Sequence, residues 1–348
     1  MDLQYYVSLK KVNEAATAGF YGVTLARKPG DVHVRLTGTE HVGFHEYQFF
    51  RWGNNETVSA HIILNISHSH TRGNKTEDSR CTGGGLKILN DSTLAGWASF
   101  EGGWGQPHPY KIYFYALTNT PFNKSGTWQN DSVYEPGNQI LALDDPNGHF
   151  GAALSFKHIE QDQKILLKVG ISFHSTEKAL DHIRNEANHW NFELTRNRSE
   201  AIWNKHLNKI SVSGGTLEDR VKFYTMLRNT MIMPTDVTGE IAGKGPREPH
   251  YWEHYCIWDV FRTVMPLHTL ILPERQRAMV NSLLDIYQEN GWLPDAWIAG
   301  SYGNIQGGTN ADVVITDAIV KRLGGFDENQ AYEAILKNAE VNSDNPSI

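Results

Sequence analysis

The chain has 348 residues, of which 20% are charged, and a formal net charge of −7. That length suits two domains, with one or three as alternatives, and gives enough chain to bury a sizeable core. No run of five basic residues occurs and no stretch approaches eighteen consecutive apolar residues, so neither a nucleic-acid partner nor a membrane-spanning helix is expected.

The opening MDLQYYVSLK lacks the apolar centre of a secretory leader. Acceptor sequences for N-glycosylation nevertheless crowd the part before residue 200, at Asn55, Asn65, Asn74, Asn90, Asn123, Asn130 and Asn197. Their density predicts a secreted or lumenal parent whose leader precedes Met1; an Asn-rich cytosolic protein is the alternative. Cys81 and Cys256 cannot build a disulfide framework and read as two free buried thiols, with one bridge between them as the alternative. No Cys/His spacing suggests zinc.

The first half reads as strands. Val32, Val34 and Leu36 alternate with His33, Arg35 and Thr37. Val58, Ala60, Ile62, Leu64 and Ile66 keep a period of two, which marks a half-buried strand. Lys111 to Leu117, His149 to Phe156 and Ile165 to Phe173 add three more. Turn signals separate them at Lys28-Pro29-Gly30-Asp31, Gly83-Gly84-Gly85 and Asp144-Asp145-Pro146-Asn147-Gly148. Strands without intervening helices predict antiparallel sheets packed as a large sandwich over residues 1–174.

The period changes near Ser175. Leu180, Ile183, Ala187, Trp190, Leu194, Trp203 and Leu207 follow helical spacing, so residues 175–214 read as a helical linker of one or two helices ending in the extended Lys209 to Ser213. Thr216 opens a helix with Leu217, Val221, Tyr224, Leu227 and Met231 on one stripe. Pro273 starts another that stops at Asn290-Gly291. Asn310 is the expected cap of a third, and Asp327 with Gln330 resembles a capping box before a fourth. Residues 215–348 are therefore expected to be helical, with single apolar stripes that need further helices to cover them.

Two segments concentrate chemistry. His250-Tyr251-Trp252-Glu253-His254-Tyr255-Cys256-Ile257-Trp258-Asp259-Val260-Phe261-Arg262 sets aromatic faces beside a carboxylate and a guanidinium. An aromatic face suits the C–H side of a sugar ring, and a carboxylate accepts two hydroxyl hydrogen bonds at once. Trp258, Asp259 and Arg262 are candidate sugar contacts; the structural alternative is a packed helix end with Asp259 paired to Arg262. Glu253 and His254 are expected at the surface rather than in acid/base roles. The second segment, Gly291 to Asp312, joins two helices through a loop rich in Trp, Gly and amides, with Asn304 and Asn310 as candidate contacts. Gly307-Gly308 would let backbone N–H groups approach a ligand, and no Lys-Ser or Lys-Thr follows to make a phosphate loop.

YCIWDVFRTVMPL (Tyr255 to Leu267), the helix Pro273 to Tyr287 and Gly291-Trp292-Leu293-Pro294 resemble, in order and spacing, the W-D-T-x-R-x-x-x-P-L, P-E-R and G-G-W-L-P pattern of glycoside hydrolase family 92. Gly102-Gly103-Trp104-Gly105 with Lys111-Ile112-Tyr113-Phe114 and Thr120-Pro121-Phe122 are similar to its sandwich domain. Trp203-Asn204-Lys205-His206-Leu207 and Phe223-Tyr224-Thr225 resemble its linker and first barrel helix. The likeness covers nearly the whole chain from about residue 18. It implies a large antiparallel β-sandwich followed by the first part of an (α/α)6 barrel. It implies an exo-acting, inverting α-mannosidase, α-1,2-type, assisted by calcium and acting on mannose-containing glycans or glycoproteins. On that resemblance Trp258 and Asp259 line the subsite for the terminal mannose.

The family's acid, base and calcium ligands are expected beyond residue 348, so no catalytic residue and no metal ligand is assigned in this chain. Where the family has a Met-x-Gly-x-His-Ala type segment, this chain has Gln306-Gly307-Gly308-Thr309-Asn310-Ala311, which bears on linkage preference. The alternatives are another sandwich-plus-barrel glycosidase, a phosphorylase, for which no cationic phosphate cluster is evident, and a non-catalytic carbohydrate-binding fragment.

Overall fold

The computed structural model describes residues 7–26, 30–50, 58–69, 78–103, 109–130, 132–134, 141–143, 149–160, 163–240, 250–254, 256–298, 300–303 and 307–343. By its contacts the chain divides into two compact units: Met1–Thr71, Ser79–Glu101 and Tyr110–His206 in one, Arg72–Asp78, Gly102–Pro109 and Leu207–Ile348 in the other.

The first unit holds strands β1 (Ser8–Thr17), β2 (Phe20–Ala26), β3 (Val32–Gly38), β4 (Val42–Phe49), β5 (Val58–Asn65), β6 (Ser79–Asn90), β7 (Thr93–Gly102), β8 (Tyr110–Thr118), β9 (Lys124–Gln129), β10 (Ser132–Tyr134), β11 (Leu141–Leu143), β12 (Phe150–Ile159) and β13 (Lys164–Ser172). They form a nine-stranded sheet, β1-β2-β3-β4-β13-β8-β7-β6-β11, and a four-stranded sheet, β10-β9-β12-β5. The pairing is antiparallel, as in Ile62↔Leu154 and Val169↔Ala116. Apolar residues from both sheets meet in one core: Leu86, Leu94, Phe114, Ile165 and Leu167 from the larger, Ala60, Ile62, Phe150, Leu154 and Phe156 from the smaller. A sheet that buries one face needs such a partner layer, so the predicted sandwich is present.

One expectation about the strands is corrected. Gly83-Gly84-Gly85 is not a turn but lies inside β6, with all three glycines buried. The reason is steric: a Cβ on Gly84 would stand 2.3 Å from Phe150 Cζ and 2.6 Å from the Trp97 carbonyl oxygen. The glycines leave room for a core phenylalanine. The strand expected over Ile165 to Phe173 forms as β13, and apart from its start and Ile171 both of its faces are largely covered. Helix α1 (Thr176–Glu186), capped by Ser175, and helix α2 (Phe192–Leu207) follow it. Lys168 is 3% exposed. Its ammonium donates to the Ala187 carbonyl at 2.8 Å and lies 3.9 Å from the Trp190 ring centroid. Burial pushes it down to about 8. The turn signals at Lys28-Pro29 and Asp144 to Gly148 fall outside the described residues.

The second unit contains α3 (Leu217–Asn229), α4 (Ile257–Val260), α5 (Val264–Ile271), α6 (Pro273–Asn290), α7 (Asn310–Val320) and α8 (Glu328–Glu340). Thr216 and Asp219 form a reciprocal capping box for α3, Pro273 sits in the first turn of α6, and Gly291 ends it at φ 85°. Asp327 accepts from the N–H groups of Asn329 and Gln330 at the start of α8. The core gathers Ile257, Met265, Met279, Val280, Leu283, Val314, Ile315 and Ala331. Two short ribbons interrupt the helices: β14 (Thr235–Asp236) with β15 (Tyr251–Trp252), and β16 (Trp297–Ile298) with β17 (Ser301–Tyr302). The α3 stripe is only half covered, since Leu217 is 71% and Val221 56% exposed. No helix among the described residues is long and apolar enough to cross a membrane. Neither Cys81 nor Cys256 is in a disulfide; Cys81 is buried, and Cys256 is partly exposed rather than buried.

Candidate functional site

The two chemistry-bearing segments meet in the helical unit, and Asp295 joins them. Its backbone carbonyl accepts the Ile257 N–H at 3.1 Å, which anchors the start of α4, where Trp258 and Asp259 sit. Its carboxylate reaches α7: Oδ1 accepts from the N–H groups of Asn310 (2.8 Å) and Ala311 (3.1 Å), and Oδ2 accepts from Asn310 Nδ2 (2.8 Å). Asn310 is therefore not the cap. The cap position is Thr309, held at φ 64° without a side-chain bond, and Asp295 supplies the missing acceptor from fifteen residues upstream. A carboxylate there also meets the positive end of the helix dipole.

The loop around Asp295 is fixed on several sides. Lys337 Nζ donates to the Gly291 carbonyl at 2.7 Å and lies 4.6 Å from the Trp292 ring centroid. Tyr302 donates its hydroxyl to the Trp292 carbonyl at 2.8 Å, and the Trp297 N–H bonds the His254 carbonyl at 3.0 Å. A Cβ on Gly307 would stand 3.9 Å from Trp258 Cβ, so the loop before α7 lies against the tryptophan. Glu253, Cys256 and Thr309 all have positive φ, at 62°, 51° and 64°. Non-glycine residues in that region carry strain, and such residues concentrate at functional sites.

Of the contacts predicted from sequence, Trp258 is partly exposed and Asp259 exposed. Arg262 is exposed, with its guanidinium 4.9 Å from the Phe261 ring centroid. Among the described residues no ion pair joins Asp259 to Arg262, so the structural alternative for that pair finds no support. Asn310 has both amide hydrogens engaged, by Asp295 and by the Gly307 carbonyl (3.0 Å), which leaves its carbonyl oxygen as the acceptor. Asn304 lies outside the described residues. His254, expected at the surface, is 1% exposed. Burial pushes it down to about 3, so it stays neutral, and Glu253 is occupied by the Thr235 hydroxyl.

Sequence reading passed over Asp295 and Asp312. Burial pushes the Asp295 carboxyl up, against the hydrogen bonds from Asn310 and Ala311. Burial first, and the neighbouring Asp295 charge second, push Asp312 up to about 7, while Asn338 Nδ2 donates to its Oδ1 at 3.2 Å. Three N–H donors make Asp295 the holder of the negative charge and leave Asp312 the more readily protonated partner. A Pro-Asp pair after an apolar Trp-Leu was the available signal; a cap acting across fifteen residues has no local pattern. This pair is a poor fit for calcium, which takes six to eight oxygen ligands, because both oxygens of Asp295 are already engaged by N–H donors, Oδ1 by two and Oδ2 by one.

Antiparallel sheets packed face to face, followed in the chain by a helical unit that carries Trp258 and Asp259 on α4, give the order of a β-sandwich domain and then a helical domain. The chain belongs to glycosyl hydrolase family 92: the model of the family's N-terminal domain matches residues 1–172 and that of its catalytic domain residues 178–347. An α-mannosidase of this family from Bacteroides thetaiotaomicron superposes with a TM-score of 0.82 at 22% identity, over 97% of this chain and 44% of that one. An inverting family 92 mannosidase from the same organism gives 0.82 at 21% identity, over 98% and 44%. A secreted glycosidase of Arthroderma benhamiae is 33% identical over 183 residues, which are 51% of this chain and 20% of that protein. The chain thus spans less than half the length of these relatives.

Proposed function

We propose that the complete protein carrying this chain is a secreted, exo-acting α-mannosidase that removes terminal α-linked mannose, of α-1,2 type, from glycans or glycoproteins with inversion. Family membership and the mannosidase neighbours, one of them in complex with mannoimidazole, support the reaction class. The observation that carries the site is Trp258 against the Gly307 loop with an exposed Asp259 beside it, free of any pairing with Arg262.

In this reading the Trp258 face packs on the sugar's C–H surface. Asp259 accepts two hydroxyl hydrogen bonds, Asn310 Oδ1 accepts another, and Arg262 donates to a ring or hydroxyl oxygen. Asn304 keeps the substrate-contact role its sequence position suggests. Inversion needs a carboxylic acid to protonate the leaving oxygen and a carboxylate to activate water. We assign neither role to a residue of this chain. The resemblance also implies calcium, held by ligands other than Asp295 and Asp312.

The test is mannose release by the purified complete protein from α-1,2-, α-1,3- and α-1,6-linked mannobioses, with the first-formed anomer read by NMR. Release from the α-1,2 disaccharide with β-mannose appearing first is expected. No release refutes the hydrolase; binding without release establishes the carbohydrate-binding alternative.

A further inference from the structure

Strand β5 lies at the end of the four-stranded sheet and pairs with β12 alone in that sheet. Its outward face is exposed at His61, Ile63 and Asn65, with Ile63 48% exposed. Among the described residues no strand pairs with the other side of β5, and an edge of that kind with an apolar side chain invites pairing with another strand. The strand ends at Asn65, which opens the acceptor sequence Asn65-Ile66-Ser67.

The local geometry around Asn65 sets its carboxamide. Its Oδ1 accepts from the Ser67 N–H at 3.2 Å and from the Ser67 hydroxyl at 3.0 Å. Ser67 is itself fixed, 1% exposed, with its hydroxyl oxygen accepting the Phe150 N–H at 2.9 Å. The carbonyl side of the amide thus faces the protein. The amide nitrogen makes no hydrogen bond to another described residue, on a residue that is exposed. Two other exposed acceptors differ: Asn123 and Asn130 turn their Oδ1 atoms onto the N–H groups of Lys157 (2.6 Å) and His149 (3.0 Å), away from their own serines. Asn90 closes the same turn on Ser92 (2.9 and 3.1 Å), but at the β6–β7 hairpin rather than on a sheet edge.

We propose that Asn65 carries an N-linked oligosaccharide that covers the open edge of β5. The donor is an oligosaccharide linked through a diphosphate to a lipid. A bond forms between Asn65 Nδ2 and the sugar's anomeric carbon, the bond from that carbon to the diphosphate oxygen breaks, the amide gives up one proton, and the lipid diphosphate leaves. In the folded protein Oδ1 keeps its bonds to Ser67 and the sugar projects from the free nitrogen.

The proposal rests on the secreted reading for its natural setting, so the experiment supplies the setting itself. The complete protein is produced in a eukaryotic host behind a secretory leader, and peptides containing Asn65 from cells and medium are analysed by mass spectrometry before and after amidase release of glycans. Most of the Asn65 peptide is expected as glycopeptide, converted to Asp on release. Asn65→Gln and Ser67→Ala lose that mass completely, and the Asn65→Gln protein self-associates faster by light scattering. A predominantly unmodified Asn65 peptide, with or without occupancy elsewhere, overturns the proposal. Mannose release is measured separately on the same preparation, so occupancy at Asn65 is decided whether or not the protein proves to be a mannosidase.

Discussion

Asp259 and Asp312 show how the same residue type serves opposite ends within one unit. Asp259 is exposed and has no ion pair with Arg262, so its removal should leave folding almost untouched, within about 0.5 kcal/mol. A hydrogen bond to a charged group contributes roughly 1.5–3 kcal/mol, so Asp259→Ala in the complete enzyme should lower kcat/KM about ten- to a hundred-fold. Asp259→Asn should be milder. Melting temperature beside steady-state kinetics separates this from a structural role, and normal kinetics for Asp259→Ala would remove the sugar contact. Asp312 behaves as a buried acid. Its carboxyl is raised from 3.8 to about 7, chiefly by burial. Below pH ~4 folded and unfolded forms are both protonated; between ~4 and ~7 only the unfolded form gives up its proton, so stability falls as pH rises through that window. Asp312→Asn stays neutral and keeps an acceptor for Asn338. Its melting temperature should gain on the parent from pH 4 to 7 and run parallel above. A constant difference across that range would mean that Asp312 is ionised in the fold throughout.

At the scale of elements, what repeats locally was legible and what depends on a distant neighbour was not. Alternation located β3, β5, β8 and β12 because each strand's buried face is written in its own residues. Thr216, Asp327, Pro273 and Gly291 marked helix ends because a cap acts within three or four residues. Gly84 read as a turn because nothing local announces that Phe150 needs its space. Nothing in the residues around Lys168 announces its burial, because α1 and Trp190, which cover it, come later in the chain. The candidate site followed the same division: Trp258 and Asp259 stood out by residue type, whereas the bridge through Asp295 did not. That bridge predicts an element-level defect. Losing an N-cap costs about 0.5–2 kcal/mol, and N–H groups left buried without an acceptor cost about 1–3 kcal/mol. Asp295→Ala should therefore lower the melting temperature by several degrees. It should also free the Asn310 amide, so that KM rises in the complete enzyme. Asp295→Asn, which retains one acceptor oxygen, should fall between. An unchanged melting temperature for Asp295→Ala would show that α7 is held by its packing alone.

At the scale of the whole molecule, the chain spans less than half the length of its relatives: it covers 44% of the bacterial structures it superposes on. Its helical unit leaves Leu270, Val320 and Tyr332 at 74%, 74% and 63% exposure. Such apolar faces fit a helical layer that continues in the complete protein. Calcium gives a way to ask which part holds the metal. An ion that binds only the folded form stabilises it by about 2.7 kcal/mol at a hundredfold excess over Kd. The neighbouring Asp295 and Asp312, among the described residues, offer it little: three N–H donors engage both oxygens of Asp295, and Asp312 accepts from Asn338. Calcium should therefore raise the melting temperature of the complete protein and leave that of the 348-residue chain unchanged. Chelation should stop turnover by the complete protein, and added calcium should restore it. Asp312→Asn should leave the calcium concentration for half-maximal activity where it was. A rise in the melting temperature of the 348-residue chain with calcium, but not with magnesium at the same ionic strength, would place the ligands within these residues. A shifted calcium requirement in Asp312→Asn would name one of them.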